Sequence, residues 1–174
     1  MPLHDLIDRF KITPEKIESI SMTWYNTKWR PLTTIKIADN ADEAILDMEQ
    51  DHSDVKIFTD GSGMEGKIGA ATTLYRNGRL KSKLQYKLGS QKHHTVYEAE
   101  GTGMLLGAKL LNREWRTCSA TFYIDNHAAI LATQLTKPSP GHHIFDAFHS
   151  CMTHLTRRNH NLQVTLKWIP AHIE

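Results

Sequence analysis

The Asn77-Gly78 pair constrains the chain more than any other two residues. It stands between two runs of strand-forming residues, "KIGAATTLY" and "LKSKLQYKL", and Asn-Gly supplies the left-handed backbone that a two-residue hairpin needs. The two runs are therefore expected to pair antiparallel. A third such run, "VKIFTD", precedes them, so three antiparallel strands open this part of the chain. Behind the hairpin "HTVYEAEGTGMLLGAKLLN" reads as a helix, "SATFYID" as a buried strand, "NHAAILATQL" as a short helix, "GHHIFDAFHSCMTHLTRRN" as a longer one and "LQVTLKWI" as a last strand. The order β-β-β-α-β-α-α-β predicts an α/β fold, a mixed five-stranded sheet with helices on its faces. In the third run Leu80, Leu84, Tyr86 and Leu88 share one face with Ser82, and Lys81, Lys83, Gln85 and Lys87 share the other. One buried and one basic, solvated side are expected there.

The polar run "EQDHSD", residues 49–54, divides this domain, 55–174, from an N-terminal extension, 1–54. Thr13 before Pro14 and Asn40 before "ADEAILDMEQ" are each placed to cap a short helix. Trp24, Trp29 and Pro31 lie between, and the tryptophans are expected to anchor a flap on the neighbouring core rather than to form a ligand platform. Residues 1–54 carry 6 Lys or Arg against 11 Asp or Glu, a net of −5, while residues 55–174 carry 15 against 8, a net of +7. A basic body points to a polyanionic partner. The acidic extension is expected to pack on its flank.

Two cysteines exclude a disulfide framework, and no stretch approaches the ~18 consecutive apolar residues of a membrane span. "MPLHDLIDRF" has no apolar leader segment, so an intracellular setting, nuclear or cytoplasmic, is expected.

Three of the eight acids in residues 55–174 occupy positions where the apolar pattern predicts burial or a strand end: Asp60, Glu100 and Asp125. Asp60 ends "VKIFT" and Asp125 ends "ATFYI", strands expected near the middle of the sheet. Glu100 shares a helix face with Val96, Gly103 and Gly107, the face that must press on the sheet, and the glycines let it press closely. Such acids repel one another unless a cation enters. Oxygen donors suit a hard ion, Mg2+ with Mn2+ as substitute. Glu98, next door, reads instead as a helix cap or a partner for a lysine.

"IFTDGSG", "TVYEAEGTG", "FYIDNHAAI" and "WIPAH", in that order and on those elements, resemble the type 1 ribonuclease H fold, most closely the domains attached to reverse transcriptases of non-LTR retrotransposons. The match runs from about Val55 to the end of the sequence. Integrases and transposases share the core sheet but order their acids Asp, Asp, Glu, whereas this chain reads Asp, Glu, Asp. The resemblance implies endonucleolytic hydrolysis of the RNA strand of RNA–DNA hybrids, with two metal ions ~4 Å apart held by Asp60, Glu100 and Asp125. It makes His172 the mobile histidine of product release. Thr95, with His93 or His94, falls where the family holds a DNA phosphate. Val96 and Tyr97 stand where relatives use Asn or Gln in the minor groove. Gly61, Ser62 and Gly63 form a turn against the RNA strand, and Asn126 follows the last acid. A reverse transcriptase module is the implied neighbour, with residues 1–54 as its linker.

The sequence ends at "WIPAHIE", short of the final helix and fourth acid of the family, and Ala171 stands where glycine is usual. Weak or manganese-dependent activity is expected on that account. Two other readings remain: a catalytically silent nucleic-acid-binding or interaction module, and a zinc site built from His149, Cys151 and His154.

Overall fold

The computed structural model describes Tyr25 and residues 29–137 and 141–171. The expected helix after Thr13, and Trp24, lie outside them. Described elements are β1 (Thr33–Lys36), α1 (Ala41–Glu49), β2 (Val55–Met64), β3 (Lys67–Arg76), β4 (Arg79–Ser90), α2 (Val96–Leu111), β5 (Ser119–Ile124), α3 (His127–Ala132), α4 (His142–Arg158) and β6 (Gln163–Trp168). From β2 onward this is the predicted order. The sheet has six strands in the order β1-β6-β5-β2-β3-β4, not five. β2, β3 and β4 pair antiparallel, and β1, β6, β5 and β2 pair parallel.

The extra strand comes from the acidic extension. β1 pairs in register with β6, Thr33 opposite Val164 through Lys36 opposite Lys167. The segment after it forms α1, capped as expected by Asn40, whose side chain accepts from Glu43 N at 2.9 Å. α1 neutralises lysines of the sheet: Asp47 lies 2.6 Å from Lys36 Nζ and 3.3 Å from Lys167 Nζ. Lys56 Nζ donates to Met48 O at 3.1 Å, and Tyr123 donates to Asp51. Two acids of this segment, Asp47 and Asp51, are thus used inside the fold. Replacing Asn40 with alanine should cost about 1 kcal/mol, read as a drop of about 2–4 °C in thermal midpoint. An unchanged midpoint would mean that the cap contributes nothing.

Alternation along β2 sorts its side chains onto two faces. Ile57 turns towards α2, where a Cβ at Gly107 would lie 2.8 Å from Ile57 Cγ2 and 2.7 Å from Phe122 Cε1. α4 closes over the same side: Phe122 meets Phe148 edge to face at 5.9 Å, and both are fully buried with Met104, Phe145 and Leu166. Phe58 turns the other way and stacks on Tyr123 at 4.8 Å. Trp29 packs on the core, as expected. It meets the ring of His149 on α4 at 4.9 Å, beside Tyr25, which donates to Asp146.

Two local expectations need correction. β2 does not end at Asp60; it runs on to Met64, with Gly61 opposite Ala70 and Gly63 opposite Ile68, and the chain turns at Glu65 and Gly66, both at positive φ. β4 is an edge strand with register shifts against β3, so Leu80 and Tyr86, expected to be buried, are 52% and 57% exposed.

Candidate active site

Thr59 on β2 pairs with Ile124 on β5 in parallel register, so the next residues, Asp60 within β2 and Asp125 just past the end of β5, stand side by side in the middle of the sheet. Helix α2 crosses at the same point. A Cβ on Gly61 would fall on Glu100 N and lie 2.7 Å from Ala99 C, so only glycine admits the helix this closely. Gly103, one turn on, sits over the same strand, where a Cβ would be 3.3 Å from Asp60 O.

The crossing delivers Glu100 almost fully buried, 3% exposed, with Oε2 lacking a hydrogen-bond partner. Burial first, and then the charges of Asp125 and Asp60, push its carboxyl up to about 8, against the opposing effect of the Gly61 N–H that donates to it. Asp60 is exposed at the rim. Glu100 is therefore close enough to both other predicted acids to feel their charge. Among the described residues no three His, Cys, Asp or Glu side chains stand in a geometry that would hold a metal ion as they are. The donor chemistry, oxygen only with one buried unsatisfied atom, nevertheless fits a hard divalent cation.

The residues proposed around the acids divide by what else they do. Thr95 is the N-cap of α2: its hydroxyl accepts from Glu98 N at 3.2 Å while Glu98 Oε2 accepts from Thr95 N at 2.6 Å, a capping box. Glu98 is thus the helix cap the sequence suggests. His94 lies against Gly89, its Nδ1 3.9 Å from Glu98. Tyr97 packs on Phe145 of α4 at 5.6 Å. Asn126 caps α3, accepting from Ala129 N at 3.1 Å. Ser62 and Gly63 are exposed on β2 beyond Asp60. Val96, on the helix face with Glu100, is exposed at its first turn. His172 lies outside the described residues.

Sequence reasoning missed two neighbours of this site. Tyr86 on β4 lines two grooves, one of about 390 Å³ reaching Ser62 and one of about 510 Å³ beside His93, His94 and Glu98. His143 from α4 lines the second. Neither position carries a local signal, because one depends on where the sheet ends and the other on a helix packed from 40 residues away.

No family model matches the chain, and no curated protein does. Solved structures do. The N-terminal RNase H domain of a Mycobacterium tuberculosis protein, solved fused to maltose-binding protein, superposes with a TM-score of 0.53 at 13% identity, over 68% of this chain and 83% of that one. The fold is that of a ribonuclease H. The foamy viral protease-reverse transcriptase in complex with an RNA/DNA hybrid matches with the same TM-score, 0.53, at 11% identity, over 70% of this chain and 18% of that much longer one.

Within this ribonuclease H-like fold the strand end that carries Asp125 is braced by the last strand. Trp168 Nε1 donates to Asp125 O at 3.1 Å and Ile169 N to Ile124 O at 3.0 Å. Trp168 and Ile169 thus hold the backbone at the third acid. The zinc alternative fares less well. Cys151 and His154 share a groove with Lys109 and Arg113, whose charges oppose a cation, while His149 does not line that groove and packs instead against Tyr25 and Trp29.

Proposed function

We propose that the chain hydrolyses the RNA strand of RNA–DNA hybrids, with Asp60, Glu100 and Asp125 holding divalent cations, Mg2+ or Mn2+, against the substrate. The observation that carries this reading is Glu100, a buried carboxyl brought by the close Gly61 contact within reach of the charges of two other acids. Burying like charges is costly, and such arrangements concentrate at functional sites. A bound cation would supply Lewis-acid charge and an acidified water at the phosphodiester. The chain's own part is to present the oxygens: Asp60 at the open rim, Asp125 braced by Trp168, and Glu100 oriented by the Gly61 N–H. Gly61 and Ser62 bring a strand backbone past the acids, and the basic face of β4, with Lys81, Lys83 and Lys87, adds salt-sensitive attraction for a hybrid. Selectivity for RNA opposite DNA rests on 2′-hydroxyl contacts rather than on base sequence. A reverse transcriptase, of the non-LTR retrotransposon kind, is the module this domain would serve.

A hybrid-cleavage assay with Mg2+ and with Mn2+ tests the reading. Asp60→Asn should lower cleavage by about three orders of magnitude, the loss expected from removing a charge contact worth roughly 4 kcal/mol in the transition state. Cleavage that survives the substitution sinks the assignment. The second reading, a binding module without turnover, draws on the same Glu100 carboxyl, which burial raises to about 8 and so keeps protonated at neutral pH when no cation is bound. Hybrid binding with no cleavage by the unsubstituted chain under either metal would favour it.

A further inference from the structure

The loop joining α2 to β5 stands at the end of the sheet away from the acids. Six strand steps separate Ser119 from Asp125, about 20 Å at ~3.3 Å per residue. In that loop Trp115 is 75% exposed, although tryptophan has more apolar surface to bury than any other side chain. The exposure is held in place. Arg76 on β3 donates to Trp115 O at 3.0 Å, to Arg116 O at 3.3 Å and to Glu114 Oε2 at 2.9 Å. From the end of α4, Arg158 donates to Glu114 O at 3.3 Å and sets its guanidinium 5.5 Å from the centre of the indole. A cation backs one face of the ring, and the other is open to solvent.

The same surface continues into a groove of about 450 Å³ between α2 and α4, walled by Lys109 and Arg113 on one side and by Ser150, Cys151 and His154 on the other. Lys109 and Arg113 are one helical turn apart, as are His154 and Arg158, so both walls lead basic groups from the groove towards Trp115. Acid is sparse, and Asp54 at the foot of the loop is taken up by the N–H groups of Cys118 and Ser119. Glu114 is the single Asp or Glu from residue 101 to 124, it is paired with Arg76, and there is none from 147 to 168.

We propose that this surface binds a single strand of nucleic acid, its phosphates in the groove at Lys109, Arg113 and His154 and one base stacked on the open face of Trp115. Closely spaced cations beside a rigid bare aromatic are what an unpaired strand requires, because its bases are free to stack and its backbone carries a charge at every step. A duplex keeps its bases inside. An acidic peptide would use the cations and leave the indole without a partner.

The test is binding of labelled oligothymidylate, about a dozen nucleotides long, to the full chain, followed by fluorescence anisotropy across a salt series. Trp115→Ala should weaken binding about tenfold, and Trp115→Phe should keep most of it. The pair Lys109→Gln and Arg113→Gln should flatten the slope of log K against log salt by about 1.4, roughly 0.7 for each lost phosphate contact. All these side chains are exposed or line an open groove, so unchanged thermal midpoints show that the fold is intact. Unchanged affinity in Trp115→Ala, or an unchanged salt slope in the double variant, overturns the proposal. So does a polyglutamate peptide whose binding depends equally on Trp115, which would assign the surface to an acidic protein. Oligothymidylate contains no RNA to cleave, so the result is read independently of any turnover at the acids.

Discussion

Gly61→Ala is expected to lower stability by about 3 kcal/mol or more, a fall of about 6–12 °C in thermal midpoint for a chain of this size. The new methyl group meets backbone: Glu100 N, Ala99 C at 2.7 Å and Glu100 Cα at 2.9 Å. Backbone cannot rotate aside, so α2 must lift off β2. The helix is held down further along by Gly103 over Asp60 and Ala71, and by Gly107 over Ile57 and Phe122, and those contacts open with it. The loss falls on a tightly packed region, where displacement is costly. Gly63→Ala is the matched control. Its methyl group would meet only the ends of two side chains, Ile68 Cδ1 at 3.1 Å and Val96 Cγ2 at 3.4 Å, which can turn away, so less than about 1 kcal/mol should be lost. Urea and thermal unfolding of both variants decide the matter, and equal losses would refute the close crossing. Because the same displacement carries Glu100 away from the Gly61 N–H, Gly61→Ala should also abolish any cleavage at temperatures where the variant remains folded.

Much of this crossing is written in the local spacing. Glu100, Gly103 and Gly107 fall on one helical face whatever the chain does elsewhere, and Asp60 and Asp125 each follow a run of apolar residues long enough to be a central strand. The tertiary fold then only has to bring the strand ends together. What stayed hidden depended on distant partners. β1 is four residues long and has no pattern of its own; it becomes a strand because β6, some 130 residues later, offers an edge. The resemblance implies a turn at Gly61-Ser62-Gly63, yet ten residues of pairing with β3 hold this run straight, and the turn falls on Glu65-Gly66. Tyr86 has the alternation of a buried residue but lies on an edge strand that α2 does not fully cover. Thr95 and Asn126 show the opposite limit. The resemblance expects both at the substrate, but in the fold their hydroxyl and amide oxygens serve as helix caps, a role that the same residue types signal equally well.

Glu100→Gln should make the metal-free protein more stable at pH 8, by about 2–4 kcal/mol, while removing the candidate activity. The sign follows from where the proton is held. Unfolded, the carboxyl has an ordinary value near 4.3; folded, burial and the neighbouring acids raise it to about 8. The native state therefore binds the proton more tightly, and stability contributed by the protonated form is complete below about pH 4 and is lost as pH rises towards 8. Glutamine keeps the shape and never ionises, so the variant should be level over that window where the parent declines. The comparison is made between the two proteins in the same buffers with chelator present, which cancels the titration of every other group. Parallel pH profiles would mean that Glu100 is not buried against like charge, and the proposed centre would fail with it. A divalent cation should then reverse the order: it stabilises the parent at pH 8 by mass action, about 2.7 kcal/mol at a hundred times its dissociation constant, and the glutamine variant much less. A residue that weakens the empty protein and strengthens the loaded one is retained for the ligand it holds.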